Sequence, residues 1–328
     1  MIASEHSPSI AAIDIGSNTI HLVVARPVAE PYDLEPLADE TELVRLGADV
    51  ALGGMIGPER AARAVEVVRG QVARARSLGA NPILGIATEG VRAARNGVDL
   101  LDRIRAEAGL SVVLVTGEQE AALTYWGATS GRVVSGRAAV VDLGGGSTEI
   151  VVGEGERVVW RVSLPFGSGS IHDRLAPADP ADPTELAAAA RMVEGALAGL
   201  AIPLPVAEVA VCGGAATTLA ALARRAGLAG DDRATEPEEP GAPPGLTPSH
   251  CEALIGLLRT LPAAEIARRY GVDEGRARLL ASGAVMIAAA ARRLGVARVR
   301  VSRRGIREGA ILAFLRHGDG WLEAAARG

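Results

Sequence analysis

Ala138-Ala139-Val140-Val141-Asp142-Leu143-Gly144-Gly145-Gly146-Ser147-Thr148-Glu149-Ile150-Val151-Val152 carries an apolar run into an acid, three glycines, a hydroxyl pair and a second acid, and then becomes apolar again. The pattern reads as strand, tight loop, strand. Glycines without Cβ let backbone N–H groups converge on one small volume, where they can cradle phosphoryl oxygens. Asp142 and Glu149 flank that volume with hard oxygen ligands suited to Mg²⁺. A phosphate-handling loop is one reading. A glycine-rich hairpin that only reverses the chain is the other, and the stretch alone is compatible with both.

A second stretch near the N-terminus has the same grammar. The apolar run Ile10–Ile15 ends in Asp14-Ile15-Gly16-Ser17-Asn18-Thr19, and a strand pattern resumes over residues 20–25. Two such loops, each heading roughly half the chain, point to an internal duplication with a phosphate group held between the halves.

Outward from these loops, strand and helix signals alternate. Residues 34–46 read as a strand and 47–57 as a glycine-rich loop. Residues 58–78 carry apolar side chains at helical spacing, with Pro58 in the first turn and Gly79 past the end. A buried strand over 83–87, a helix over 98–108 and a strand over 112–115 follow. Thr116-Gly117-Glu118-Gln119-Glu120-Ala121 then opens a helix running to about 129. Its carboxylates either complement the helix dipole or face a ligand at the end of a parallel strand. After the opening stretch come a strand over 158–164 ending in the loop 165–170, a helix over 184–200 and a strand over 206–212. Gly213-Gly214 opens the next helix, either to receive a phosphate or nucleotide edge or only for close packing. Residues 227–248 offer almost nothing to bury and read as an exposed loop. Helices over 262–270 and 273–294, a strand over 298–302 and a helix over 305–316 complete an α/β pattern.

Composition narrows the chemistry. A length of 328 residues favours two domains, and 48% hydrophobic with 22% charged residues describes a folded chain. No apolar run reaches membrane-spanning length and the N-terminus carries no secretory pattern, so a cytoplasmic setting is expected. The two cysteines, Cys212 and Cys251, and the five histidines form no metal-binding spacing. All 34 basic residues are arginine. Lysine-dependent phosphate loops and Schiff-base chemistry are thereby excluded, leaving arginine, backbone amides and metal for any phosphate binding. Arg292, Arg293, Arg298, Arg300, Arg303, Arg304 and Arg307 make a local positive field on a chain of net charge −5, although most of them suit a solvated surface.

Five motifs in order now carry a resemblance: Asp14-Ile-Gly-Ser-Asn18, Ala87-Thr-Glu-Gly-Val-Arg92, Gly117-Glu-Gln-Glu-Ala121, Asp142-Leu-Gly-Gly-Gly-Ser-Thr-Glu149 and Ser302-Arg-Arg-Gly-Ile-Arg-Glu-Gly309. Together they resemble the exopolyphosphatase and guanosine pentaphosphate phosphohydrolase (Ppx/GppA) family, in its short form without the C-terminal HD-type domain. The resemblance implies an α/β fold of two ribonuclease H-like domains of the actin, Hsp70 and sugar kinase superfamily, with an interdomain cleft. The expected division is 1–131 and 132–328, with the final helix over 305–317 able to pack back on the first domain. It implies Mg²⁺-dependent (or Mn²⁺-dependent) hydrolytic release of terminal phosphate from inorganic polyphosphate. Guanosine pentaphosphate is the alternative substrate, and an ATP-dependent sugar or acetate kinase or a non-catalytic actin-like scaffold are alternatives of another class. A homodimer is implied, with no nucleic-acid or membrane partner.

Residue by residue, the resemblance makes Glu120 the catalytic carboxylate that orients and deprotonates water, and Arg92 the cation on the transferred phosphoryl. Gly16, Ser17, Asn18, Gly144, Gly145, Gly146 and Ser147 would grip phosphate, with Gly213 and Gly214 added from the strand–glycine–helix pattern. Asp14, Asp142 and Glu149 would hold the metal. The chain departs from the family at His21, where arginine is frequent, at Glu89-Gly90, where two small residues are usual, and at Arg303, where an acid is common. Positive charge at Arg303 and Arg304 is expected to favour longer polyphosphate chains.

Overall fold

The computed structural model describes residues 8–29, 33–132, 134–228 and 245–327. Most of the expected loop 227–248 therefore lies outside the described residues. The chain divides into two compact units, Met1–Val133 with Arg304–Gly328, and Val134–Arg303.

In the first unit, β1 (Ile10–Ile15), β2 (Thr19–Ala29) and β3 (Asp33–Leu43) form an antiparallel meander. β4 (Ile83–Ala87) and β5 (Val112–Leu114) add in parallel on the other side of β1, giving the order β3-β2-β1-β4-β5. Central β1 is buried on both faces except at Asp14, as expected of a strand covered by helices. Edge strand β3 is mostly exposed and carries Glu35, Asp39, Glu40 and Glu42, charges that discourage edge-to-edge pairing. Helix α2 (Pro58–Ser77) lays Ala64, Val65, Val68, Val72 and Ala75 into the core at the spacing read from the sequence.

The second unit repeats this plan. β6 (Arg137–Leu143), β7 (Thr148–Glu154) and β8 (Arg157–Leu164) form the meander, and β9 (Glu208–Cys212) and β10 (Arg300–Val301) lie parallel to β6 in the order β10-β9-β6-β7-β8. Asp142 is the partly exposed penultimate residue of β6, as Asp14 is of β1. The duplication read from two loops thus extends to the topology of whole sheets. Among the helices of this unit, α12 (Leu280–Leu294) is buried almost throughout its length. Burial pushes the Cys251 thiol up to about 12, so it behaves as a small core residue rather than a nucleophile.

Five local expectations are corrected. Residues 47–57 are not all loop: α1 (Leu46–Gly53) forms there without a side-chain cap, behind Arg45 in a left-handed conformation (φ 59°). Tertiary bonds secure that start, with Val44 and Arg45 N–H donating to the Asn18 carbonyl and Gly47 N–H to that of Ser17. Helix α6 (Ser168–Leu175) begins inside the expected loop 165–170. The expected helix over 273–294 is split into α11 (Glu274–Ala277) and α12, because Leu279 N–H bonds to the Arg276 carbonyl three residues back and tightens the turn. A last helix, α14 (Trp321–Arg327), follows α13 (Ile306–His317). Leu246, at the end of the expected exposed loop, is fully buried and bridges to Val299.

Candidate active site

In the first unit the loop between β1 and β2 is a tight turn closed by Gly16 N–H donating to the Thr19 carbonyl at 3.0 Å. A Cβ at Gly16 would stand 3.3 Å from that carbonyl and 3.9 Å from both Asp14 Oδ2 and Thr88 Oγ1, so the loop, the Asp14 carboxylate and the end of β4 share one small volume. The carbonyls of Ser17 and Asn18 are turned to the segment 44–47, which fixes both residues.

Thr88 follows β4, and its N–H donates to the Ile15 carbonyl at 3.2 Å. The single turn α3 (Glu89–Arg92) then presses on the loop: a Cβ at Gly90 would lie 2.5 Å from Ser17 Cα and 2.9 Å from Ser17 N. Small size at this position is thus dictated by backbone approach. Gly90→Ala is expected to cost about 1–3 kcal/mol of stability, read from urea melts, because Ser17 has to shift to admit the methyl group.

Helix α5 (Gly117–Thr129) brings in the key carboxylate. Its N-terminus is capped reciprocally by Thr116 and Gln119, whose side chains each bond the other's backbone N–H at 3.2 and 2.9 Å. Glu118 is exposed, whereas Glu120 is 7% exposed. Capping is already satisfied, so dipole complementation alone does not account for a carboxylate buried at Glu120. Arg92 Nη1 donates to Glu120 Oε2 at 3.3 Å and to the Val115 carbonyl at 2.6 Å, while Nη2 donates to Glu89 Oε2 at 2.6 Å. The resemblance assigns Arg92 to the transferred phosphoryl; the structure shows it holding Glu120, with Glu89 on its other side.

Helix α13 supports this arrangement by backbone contact. A Cβ at Gly309 would lie 1.7 Å from the Leu123 carbonyl oxygen of α5, and one at Gly127 would lie 1.9 Å from that of Gly305. Gly309 of the fifth motif and Gly127 of α5 are therefore what lets α13 seat against the helix carrying Glu120. Arg307 is buried; its Nη1 donates to Asp39 Oδ1 at 2.7 Å. Burial opposes its charge, but Glu308, Asp39 and Asp14 outweigh that and raise its pKa. A solvated-surface reading is wrong for Arg307, whose charge reaches the Asp14 carboxylate. Arg304 is also committed, to Asp33 and Ser130, which removes half of the basis for an arginine pair recruiting long polyphosphate; Arg303 is exposed. His21 lies between two hydroxyls, Nε2 at 2.6 Å from Thr19 Oγ1 and Nδ1 at 3.0 Å from Thr41 Oγ1.

In the second unit Asp142 and Glu149 are directly opposite each other across β6 and β7, which places both carboxylates on one face of the sheet. Glu149 is 1% exposed and its Oε1 accepts from Ser163 Oγ at 2.6 Å. The Gly144 and Gly145 carbonyls accept from Ser168 and Ser170 N–H at 3.0 and 2.9 Å, so the start of α6 fixes the glycine loop. Gly167 has to lack a side chain, since its Cβ would lie 2.4 Å from the Gly144 carbonyl oxygen. Ser147 is 4% exposed, and Gly146 completes the turn.

Gly213 has φ 99°, and a Cβ there would stand 2.3 Å from the Leu143 carbonyl and 3.4 Å from Asp142 Oδ1. Close packing thus accounts for Gly213, while Gly214 opens α8 (Gly214–Arg225). Arg276 Nη1 would lie 3.3 Å from a Cβ at Gly214, which sets a cation over that helix start. Sequence reading missed Arg276 because it lies in another helix more than sixty positions away, with no motif around it. Among the described residues no group of three or more His, Cys, Asp or Glu gathers as a metal cage, and no helix is long and apolar enough to cross a membrane.

Comparison with known proteins identifies the family and the fold. The model of the Ppx/GppA phosphatase family matches residues 23–317. Exopolyphosphatase 2 of Mycobacterium tuberculosis is 33% identical over 323 residues, covering 93% of this chain and 98% of that protein. Exopolyphosphatase 1 of the same organism is 28% identical over 315 residues, covering 93% and 88%. The Aquifex aeolicus Ppx/GppA family member, a solved structure, is 26% identical with a TM-score of 0.77, covering 95% of this chain and 99% of that one. The two-domain α/β fold expected from the resemblance is the fold found. The chain belongs to the Ppx/GppA phosphatase family and is a hydrolase of phosphoanhydride bonds.

Proposed function

We propose that the protein is an exopolyphosphatase that releases terminal phosphate from inorganic polyphosphate by Mg²⁺-assisted attack of water. The observation that carries this reading is Glu120: a buried carboxylate in the first turn of α5, not needed for capping and held by Arg92. Phosphoryl transfer requires a positioned water, neutralised charge and little covalent chemistry from the protein. Glu120 orients the water and takes its proton. Ser17 and Asn18 in the first unit, and Gly144, Gly145, Gly146 and Ser147 in the second, bind phosphoryl oxygens through backbone amides and hydroxyls. Arg276 at the start of α8 is a further cation for the chain.

Asp142 and Glu149 would hold Mg²⁺, whose positive charge offsets the charge on the phosphoryl oxygens when it is bound. The residues fit that ion: two hard carboxylates face each other across adjacent strands, and Mg²⁺ characteristically takes one or two carboxylates and completes its shell with water and substrate phosphates. Asp14 is the third candidate, with part of its charge already balanced by Arg307. The reading brings with it the homodimer that the resemblance implies.

The test is phosphate release from long-chain polyphosphate, guanosine pentaphosphate and ATP, each with Mg²⁺ and with excess EDTA. Release is expected to be greatest from polyphosphate, to fall to background in EDTA and to return with Mg²⁺. Preference for guanosine pentaphosphate would replace the substrate assignment, and turnover persisting in EDTA would remove the metal role of Asp142 and Glu149.

A further inference from the structure

We infer that Glu89 tunes anion selectivity at this site, by occupying the side of the Arg92 guanidinium that a substrate phosphate would otherwise take. The inference rests on the proposed function and extends it to a residue at which the chain departs from its family resemblance.

The geometry is specific. Arg92 Nη1 is shared between the Val115 carbonyl and Glu120, and Nη2 is held by Glu89 at 2.6 Å. A guanidinium carries one positive charge, so two carboxylates on it make the cluster net negative. The two partners differ in how easily they yield. The Glu120 side chain is 9% exposed and fixed in α5, whereas that of Glu89 is 30% exposed, on a four-residue helix. An arriving phosphate therefore displaces Glu89 and leaves Glu120 in place. Gly90, the next residue, is already against Ser17 of the first loop, which puts this exchange beside the proposed phosphate grip.

The consequence is discrimination by charge. A partly exposed ion pair is weak and screened by salt, so a polyanion with several oxyanions near the site outcompetes it. Orthophosphate, the product, has only its own charge with which to displace a carboxylate and is held less well. Glu89 thus lowers affinity for product more than affinity for chain.

Isothermal titration of orthophosphate and of tripolyphosphate, at fixed Mg²⁺, into wild type, Glu89→Gln, Arg92→Gln and the double variant tests this. Glu89→Gln is expected to tighten orthophosphate by about fivefold, the upper range for removing a partly exposed ion-pair partner, and tripolyphosphate by less. Inhibition of polyphosphate hydrolysis by orthophosphate should strengthen by the same factor. The gain should vanish in the Arg92→Gln background, as a double-mutant cycle requires for a pair acting through one contact. Glu89→Ser, with a smaller side chain, should behave like Glu89→Gln, and thermal melts establish that each variant is folded.

Unchanged or weaker orthophosphate binding in both Glu89 variants would mean that the carboxylate only steadies Arg92, and would overturn the inference. So would a gain that persists without Arg92. A wild type that releases no phosphate from polyphosphate would overturn the proposed function instead, and the orthophosphate titrations would still decide the role of Glu89.

Discussion

Glu120→Gln is expected to lower kcat for phosphate release from polyphosphate by about two to four orders of magnitude, the range general-base assistance supplies. Glutamine keeps the shape and one hydrogen-bond acceptor, but it cannot take a proton from water. Arg92 keeps its bonds to Glu89 and to the Val115 carbonyl, so the local structure survives the change. KM should therefore stay within a few-fold of wild type and the thermal midpoint within a few degrees. Steady-state kinetics with long-chain polyphosphate, alongside a melt, separates these quantities. Activity within a few-fold of wild type would remove Glu120 from the chemistry and with it the main support for the proposed reaction.

Gly309→Ala is expected to be the most destabilising of the single-methyl changes considered, by about 3 kcal/mol or more. A Cβ at that position would stand 1.7 Å from the Leu123 carbonyl oxygen, closer than any non-bonded contact allows, and the obstacle is helix backbone rather than a movable side chain. Helices α5 and α13 would have to separate, which also opens the reciprocal contact of Gly127 with Gly305. Domains are stable by only about 5–15 kcal/mol, so this is a large fraction of the total. Because α5 carries Glu120, activity should fall along with stability. Gly256→Ala is the matched control: it lies in α9 (Pro248–Leu258) with open space where its Cβ would go, and alanine there should leave stability equal or higher. Equal urea midpoints for the two variants would mean that the α5–α13 contact does not limit stability.

The glycine–acid loops and the apolar runs before them were legible in the sequence because their signals are local. Backbone freedom at Gly144 to Gly146, and the apolar runs that end at Asp142 and Asp14, are written in neighbouring residues. Capping by Thr116 and Gln119 is equally short-range, and that helix start falls where the sequence placed it. Helix α1 escaped the sequence reading because its start is secured by carbonyls of a distant loop and by no side-chain cap, and α6 because the Gly144 and Gly145 carbonyls fix its start together with Ser170 Oγ, which accepts from Gly167 N–H. Arg276 escaped for the same kind of reason, being near Gly214 only through packing.

By itself, then, the sequence determined the alternation of strands and helices, the two aspartate-headed loops and the chemical type of the site, for these depend on residue identity and short spacing. Tertiary structure alone decided what each charged group is doing. Arginine and glutamate are read from sequence as charges, but whether a charge is available depends on its neighbours in space. Folding turned Arg307 from a surface cation into a buried partner of Asp39 within reach of Asp14, and tied Arg304 to Asp33. It also placed Arg92 between Glu89 and Glu120, residues three and twenty-eight positions away, because β4 and β5 run parallel and deliver α3 and α5 to the same end of the sheet. Of the two carboxylates on Arg92, Glu120 is buried and Glu89 is partly exposed, a difference that only packing sets.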